Sequence, residues 1–188
     1  MGYRDYAKDY EIEYVERPGK KRPKVNRIYV GPYFRFAHPS AYIRRLRWIY
    51  LLLLIMTAIS LIVPMSIDCA FSRTWYIEVP AVTAWIPWLL SAGAVWRLWT
   101  AKDLVNREHY ELMHDRMSGS ALFMLGFCSI SSIGCIYKVM HQSASAQDYI
   151  VCASCLLSVL FSCAMFAKRK DLVMVRVDNP EKPHKQTK

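Results

Sequence analysis

Four stretches of this 188-residue chain contain no Asp, Glu, Lys or Arg. They cover residues 48–67, 79–96, 117–137 and 149–167, and are 20, 18, 21 and 19 residues long. Apolar runs of about 18 or more residues without charge are long enough to cross a bilayer as helices. Four of them in so short a chain exclude an ordinary soluble domain, a disordered chain, a secreted disulfide miniprotein and a large multidomain enzyme. A mean hydropathy of only +0.09 conceals this segregation.

The missing charges also bear on function. Proton relays and ion pathways use ionisable groups within the membrane, so proton- or sodium-coupled transport by a single copy is disfavoured. Arg97 comes nearest, but it sits at a span end, where it can snorkel to water. There is no Gly-rich phosphate loop, no Ser-centred nucleophile motif and no Rossmann fingerprint. Nor is there an internal repeat or inverted duplication of the kind that marks secondary transporters. The first 30 residues lack the apolar core of a signal peptide. Met1-Gly2 is followed by Tyr6 where myristoylation requires Ser or Thr.

Charge is abundant elsewhere. Lys and Arg number 25 against 15 acids, a formal net charge of +10. Of these, 23 lie in residues 1–47, 97–116 and 168–188, and only Arg73 and Lys138 lie in the two other connections. Basic residues stay on the cytoplasmic side during insertion. The expectation is therefore an all-α integral membrane protein with four transmembrane helices, both termini cytoplasmic, in the plasma membrane. Arg44, Arg45 and Arg47 before the first span with Trp48 at its start, Trp99 at the end of the second, and Lys168, Arg169 and Lys170 after the fourth are the expected interface anchors. Trp75, Tyr76 and Tyr149 would anchor the outer ends. Because the basic residues flank spans, anionic lipid headgroups on the cytoplasmic side are the expected partner, and nucleic acid is not.

Three regions follow: a β-hairpin region over 1–38, a transmembrane domain over 39–168 with spans near 48–67, 79–99, 117–137 and 149–167, and a C-terminal strand and disordered tail over 169–188. Residues 10–16 and 25–30 are β-prone around a basic Pro-Gly turn, and read as a hairpin. Glu11, Glu13 and Glu16 could face Lys20, Lys21, Arg22 and Lys24 across it. A lone hairpin is marginal, so the third β-prone run, 172–177, is predicted to pair with it in one small cytoplasmic sheet. Pro39 and Ser40 predict a helix start. A turn is predicted over 102–105, then Asn106 as N-cap of a third helix that projects about 11 residues before its span, carrying Arg107, Glu108, Glu111, Asp115 and Arg116 on a solvated face.

Helices in lipid associate through small residues and interhelical hydrogen bonds. Cys128, Ser131, Ser132 and Cys135 share one face of the third span, with Gly126 and Gly134 nearby. Cys155, Ser158 and Ser162 share a face of the fourth, followed by Cys163. These stripes are predicted to pack together. Trp85, Trp88, Trp96 and Trp99 share a face of the second span and read as a lipid-facing stripe or, alternatively, as the wall of an apolar cavity. Pro64 and Pro87 are candidate kinks.

The six cysteines are the remaining place for chemistry. Cys152-Ala-Ser-Cys155 has the Cys-x-x-Cys spacing of thiol–disulfide exchange. Four helices with such a pair near the outer start of the last resemble the vitamin K epoxide reductase family. That resemblance implies redox roles for Cys152 and Cys155. The family's second cysteine pair, in a longer outer loop, has no counterpart here, where residues 68–78 hold only Cys69. Glu111-Leu-Met-His114 has the spacing of di-iron bundles but occurs once, where two copies are needed. No metal or cofactor is expected. The sequence therefore points to a non-catalytic scaffold, accessory or assembly subunit with a cytoplasmic docking surface for a protein partner or a second copy. The alternatives are an oligomeric transport or channel component lined by the Ser and Cys stripes, and a membrane thiol–disulfide oxidoreductase using Cys152 and Cys155.

Overall fold

The computed structural model describes residues 7–15 and 24–177. The basic turn with Glu16, Lys20, Lys21 and Arg22, the Met1-Gly2 start and the C-terminal tail lie outside the described residues. The chain is mostly helical, with four helices long and apolar enough to span a membrane and two small antiparallel sheets.

The strands are β1 (Tyr10–Val15), β2 (Lys24–Tyr29), β3 (Tyr33–Phe36), β4 (Leu104–Asn106) and β5 (Met174–Val177). The helices are α1 (Ser40–Ser66), α2 (Trp75–Thr83), α3 (Trp85–Thr100), α4 (Arg107–His141) and α5 (Ala146–Lys168). Helix α1 packs on α3 and α5, α4 packs on α3 and α5, and α2 leans on α4, which closes a ring of helices. Tyr50, Leu54, Leu98, Met113, Met117, Met124 and Met165 fill its centre. The helix exteriors expose Leu52, Ile59, Leu89, Phe123 and Leu160, the inverse of a water-soluble bundle.

The second long helix is two pieces. Pro87 stands three residues into α3. It offers no N–H to Thr83, and its ring would clash with that carbonyl, so the helix resets at Ala84. This long helix begins at Trp75, earlier than the predicted 79, and so carries Glu78 in its first turn.

The sheets differ from expectation in their pairing. The predicted hairpin exists: β1 and β2 form a two-stranded sheet. Strand β5 does not join it. It pairs with β3, with Tyr33 opposite Val177 and Phe36 opposite Met174. The connection predicted as a plain turn supplies β4, which lies on the other side of β3 with Phe34 opposite Val105. The order β4-β3-β5 thus draws three distant segments into one sheet at one end of the bundle. Strand β3 follows Gly31-Pro32 and is only four residues long, too short to stand out as a periodic run. Its central place gives β4 and β5 a ladder each. In the described part of the hairpin the expected charges do not face one another: Glu11 lies opposite Ile28, Glu13 opposite Asn26 and Lys24 opposite Val15.

Tyr29 joins the two sheets to the bundle. Its hydroxyl donates to the Pro32 carbonyl at 2.9 Å and accepts the Arg107 N–H at 3.0 Å. Asn106 does stand at the α4 N-cap, but without a side-chain cap bond. The projecting turns of α4 are less solvated than predicted. Glu111 is only 15% exposed and pairs with Arg107 at 2.8 Å, and the Tyr110 ring stacks on Phe34 of β3.

Candidate functional site

The small polar stripes of α4 and α5 face each other. The Ser131 hydroxyl donates to the Ile77 carbonyl of α2 at 2.9 Å and lies 3.5 Å from the Cys155 sulfur. The Cys128 thiol meets the hydroxyls of Ser158 and Ser162. Ser158 and Ser162 donate back to Cys155 and Ser158 carbonyls of their own helix, each at 2.7 Å, which satisfies the hydroxyl without a water. Ser132 is buried on the same face, its hydroxyl unpartnered among the described residues. Cys163 lies outside the seam and is exposed.

At one end this seam becomes a cluster of thiols. Cys69, Cys135, Cys152 and Cys155 are buried together with Phe71, Ile77 and Val151. The shortest sulfur–sulfur approach joins helices rather than neighbours in sequence: Cys135 Sγ lies 3.9 Å from Cys155 Sγ. Cys152, one turn before Cys155 on α5, belongs to the same buried cluster. All are free thiols. Among the described residues no three His, Cys, Asp or Glu side chains converge as a metal would require. Spacing along the chain singles out Cys152 and Cys155, whereas Cys135 enters only because α4 and α5 pack in this register.

The α1–α2 connection closes over the thiols and is held by two charged groups. Lys138, assigned by sequence to a connection, sits in the last turn of α4 and is only 8% exposed. Its ammonium donates to the Ala70 carbonyl at 2.6 Å and the Thr74 hydroxyl at 2.5 Å, over the Phe71 ring. Asp148 accepts the Phe71 N–H at 3.2 Å. Its other oxygen accepts from the N–H and hydroxyl of Ser145, which completes a capping box at the start of α5. At the exposed edge of the loop Arg73 grips Asp68 through two bonds of 2.7 and 2.6 Å, and holds that carboxyl below its usual range.

The opposite end gathers the expected anchors. Trp48 packs edge-on against Trp99, centroids 4.9 Å apart. Arg47 donates to the Ala101 carbonyl at 2.8 Å. Lys168 pairs with Asp171 at 2.9 Å. Arg169 covers the Phe166 ring and donates to the Ser118 hydroxyl at 2.7 Å. Arg44, Arg45 and Lys170 are exposed. Glu111 and His114 do not combine: the first pairs with Arg107, and the second lies 3.1 Å from Asp115.

The tryptophans do not form one lipid-facing wall. Trp96 is 70% exposed, but Trp85, Trp88 and Trp99 pack on the central core, and the Trp88 indole donates to the Leu54 carbonyl of α1 at 3.0 Å. A polar contact that sequence reasoning missed joins α3 to α4: the hydroxyls of Ser91 and Ser120 are 2.7 Å apart and buried. Single serines in apolar runs carry no signal of their partner.

Comparison with family models, curated proteins and solved structures finds no match to this chain.

Proposed function

We propose that this is an integral protein of the plasma membrane with both termini cytoplasmic, acting as a non-catalytic scaffold, accessory or assembly subunit. The observation that supports it is the β4-β3-β5 sheet, in which all three basic segments flanking the spans meet in one platform. Among the described residues β4 and β5 each pair on one side only, and Val175 of β5 and the preceding Val173 are exposed. A partner segment can add as a further strand at such an edge. Lys and Arg cluster at this end, in keeping with a cytoplasmic orientation. Purification in mild detergent followed by mass spectrometry tests the reading. Stoichiometric recovery of a second protein, lost on Val175→Pro, is the expected result. Recovery of the chain alone, with Val175→Pro indistinguishable, counts against it.

One observation favours a second reading, a thiol–disulfide oxidoreductase: the 3.9 Å approach of Cys135 to Cys155. In that reading the two thiols reduce a substrate disulfide. Their sulfurs join, two electrons pass to the substrate, and two protons end on its released thiols. Alkylation of intact cells with and without reductant separates the readings. A reductant-dependent Cys135–Cys155 peptide pair supports the redox reading, and permanently reduced thiols overturn it. The Ser and Cys stripes are occupied in α4–α5 packing, so a pathway lined by them draws no support from this geometry.

A further inference from the structure

Where the three-stranded sheet meets the start of α1, a cavity of about 360 Å³ opens. Arg35 of β3, His38, and Ser40, Arg44 and Arg47 of α1 line it, with Asp103 its one acid. Three arginines therefore line one space with a single acid. None of the three is in an ion pair among the described residues. Arg47 commits one terminal nitrogen to the Ala101 carbonyl, but its Nε is buried and has no hydrogen-bond partner among the described residues. The first turn of α1 opens beside the same space with no acidic residue and no side-chain cap. Arginines that line one space repel one another unless an anion joins them, and their planar donor sets match phosphate oxygens.

We propose that this cavity seats the phosphate of an anionic phospholipid headgroup. The assignment rests on the membrane placement above and narrows a diffuse attraction to one site. The lipid source is favoured by what adjoins the cavity. Arg44, Trp48 and Leu52 follow one another at four-residue spacing on α1, and all three are exposed. Residues four apart share a helix face, so a phosphate held by Arg44 and Arg47 leaves its acyl chains lying along Trp48 and Leu52. A soluble phosphate ester would present the same oxygens to the arginines but would have no use for that apolar track.

The test is native mass spectrometry of the full chain, delipidated in detergent and titrated with phosphatidylglycerol or phosphatidylcholine. Phosphatidylglycerol is expected to be retained preferentially. Arg35→Gln with Arg44→Gln should weaken its retention by about tenfold or more, while Arg176→Gln, a basic residue of β5 outside the cavity, should leave it unchanged. If the double variant melts early, Arg44→Gln alone is read in its place. Equal retention of both lipids, or an equal loss in Arg176→Gln, would overturn the site. Glycerol 1-phosphate forms the second arm: displacement of phosphatidylglycerol at similar concentrations would make a soluble ester the ligand and overturn the lipid assignment. Flotation on phosphatidylcholine vesicles is scored separately. A chain that does not float refutes the membrane placement, and one that floats without preferring the anionic lipid refutes only the cavity.

Discussion

The ammonium of Lys138, in the last turn of α4, donates to the Ala70 carbonyl at 2.6 Å, 68 residues away in the α1–α2 connection. With Asp148 holding the N–H of the same peptide unit, at Phe71, this pins a loop over four buried thiols. Replacing Lys138 with Met keeps the aliphatic stem but removes the ammonium from both acceptors, leaving the Ala70 carbonyl with the Thr74 hydroxyl at 2.8 Å as its remaining side-chain donor. Hydrogen bonds to a charged group contribute about 1.5–3 kcal/mol. Thermal unfolding in detergent should show a lower Tm, and maleimide labelling of Cys69 should become faster. Labelling at the wild-type rate would mean that the loop is held some other way.

Gly31 is required where the hairpin meets the bundle. A Cβ there would fall 2.6 Å from the Tyr29 hydroxyl oxygen and 2.8 Å from Asp9 Cβ. The hydroxyl is tied to both Pro32 and Arg107, so it cannot yield without breaking a bond. Gly31→Ala should cost about 1–3 kcal/mol, the usual range for overpacking. Amide exchange at Val30 and Arg107 should accelerate while the helix centres stay protected.

Burial raises the Tyr29 phenol above its ordinary value, although the Arg107 N–H it accepts pulls the other way. The unfolded chain therefore loses this proton before the folded one as pH rises. The stabilisation is whole below about pH 10, the unfolded value, and is lost above it. Alkaline unfolding followed by tyrosinate absorbance should show this loss, and Tyr29→Phe should remove Tyr29's share of it. An unchanged alkaline limb in Tyr29→Phe would refute the assignment.

Gly126 and Gly134 are equivalent by sequence and are predicted here to differ sharply on substitution. A Cβ at Gly134 would sit 2.9 Å from Tyr76 Cδ2 and 3.0 Å from Ile77 Cγ1, whereas nothing lies within 4 Å of one at Gly126. Gly134→Leu should separate α4 from α2 and lower the Tm. Gly126→Leu should be close to neutral in detergent. Equal effects would show that α2 does not press on α4 at this point.

Much of this fold was legible because its strongest signals are local. Uncharged runs and the Pro39-Ser40 start mark helices without reference to any partner, and the hairpin strands announce themselves by composition. The sheet partners were not legible. Strand β5 can pair with any exposed edge, and the short β3 carries no periodic pattern to advertise itself. The thiol cluster was half legible: spacing picks out Cys152 and Cys155, but Cys135 comes within 3.9 Å of Cys155 only through the packing of α4 on α5. The arginine cavity was not legible, because Arg35 joins Arg44 and Arg47 only through β3, which is too short to carry a periodic signal.

The sequence by itself determined that this chain has four helices suited to lipid and that its basic residues segregate to three segments. Chain composition decides which solvent each stretch tolerates, so no partner had to be known. Only the tertiary structure decided that Lys138 is a buried clasp rather than a loop charge, that three of the four tryptophans of α3 turn toward the core, and that the three basic segments share one sheet. Those outcomes depend on contacts between residues tens of positions apart, where register and helix rotation select among partners that the sequence leaves equivalent.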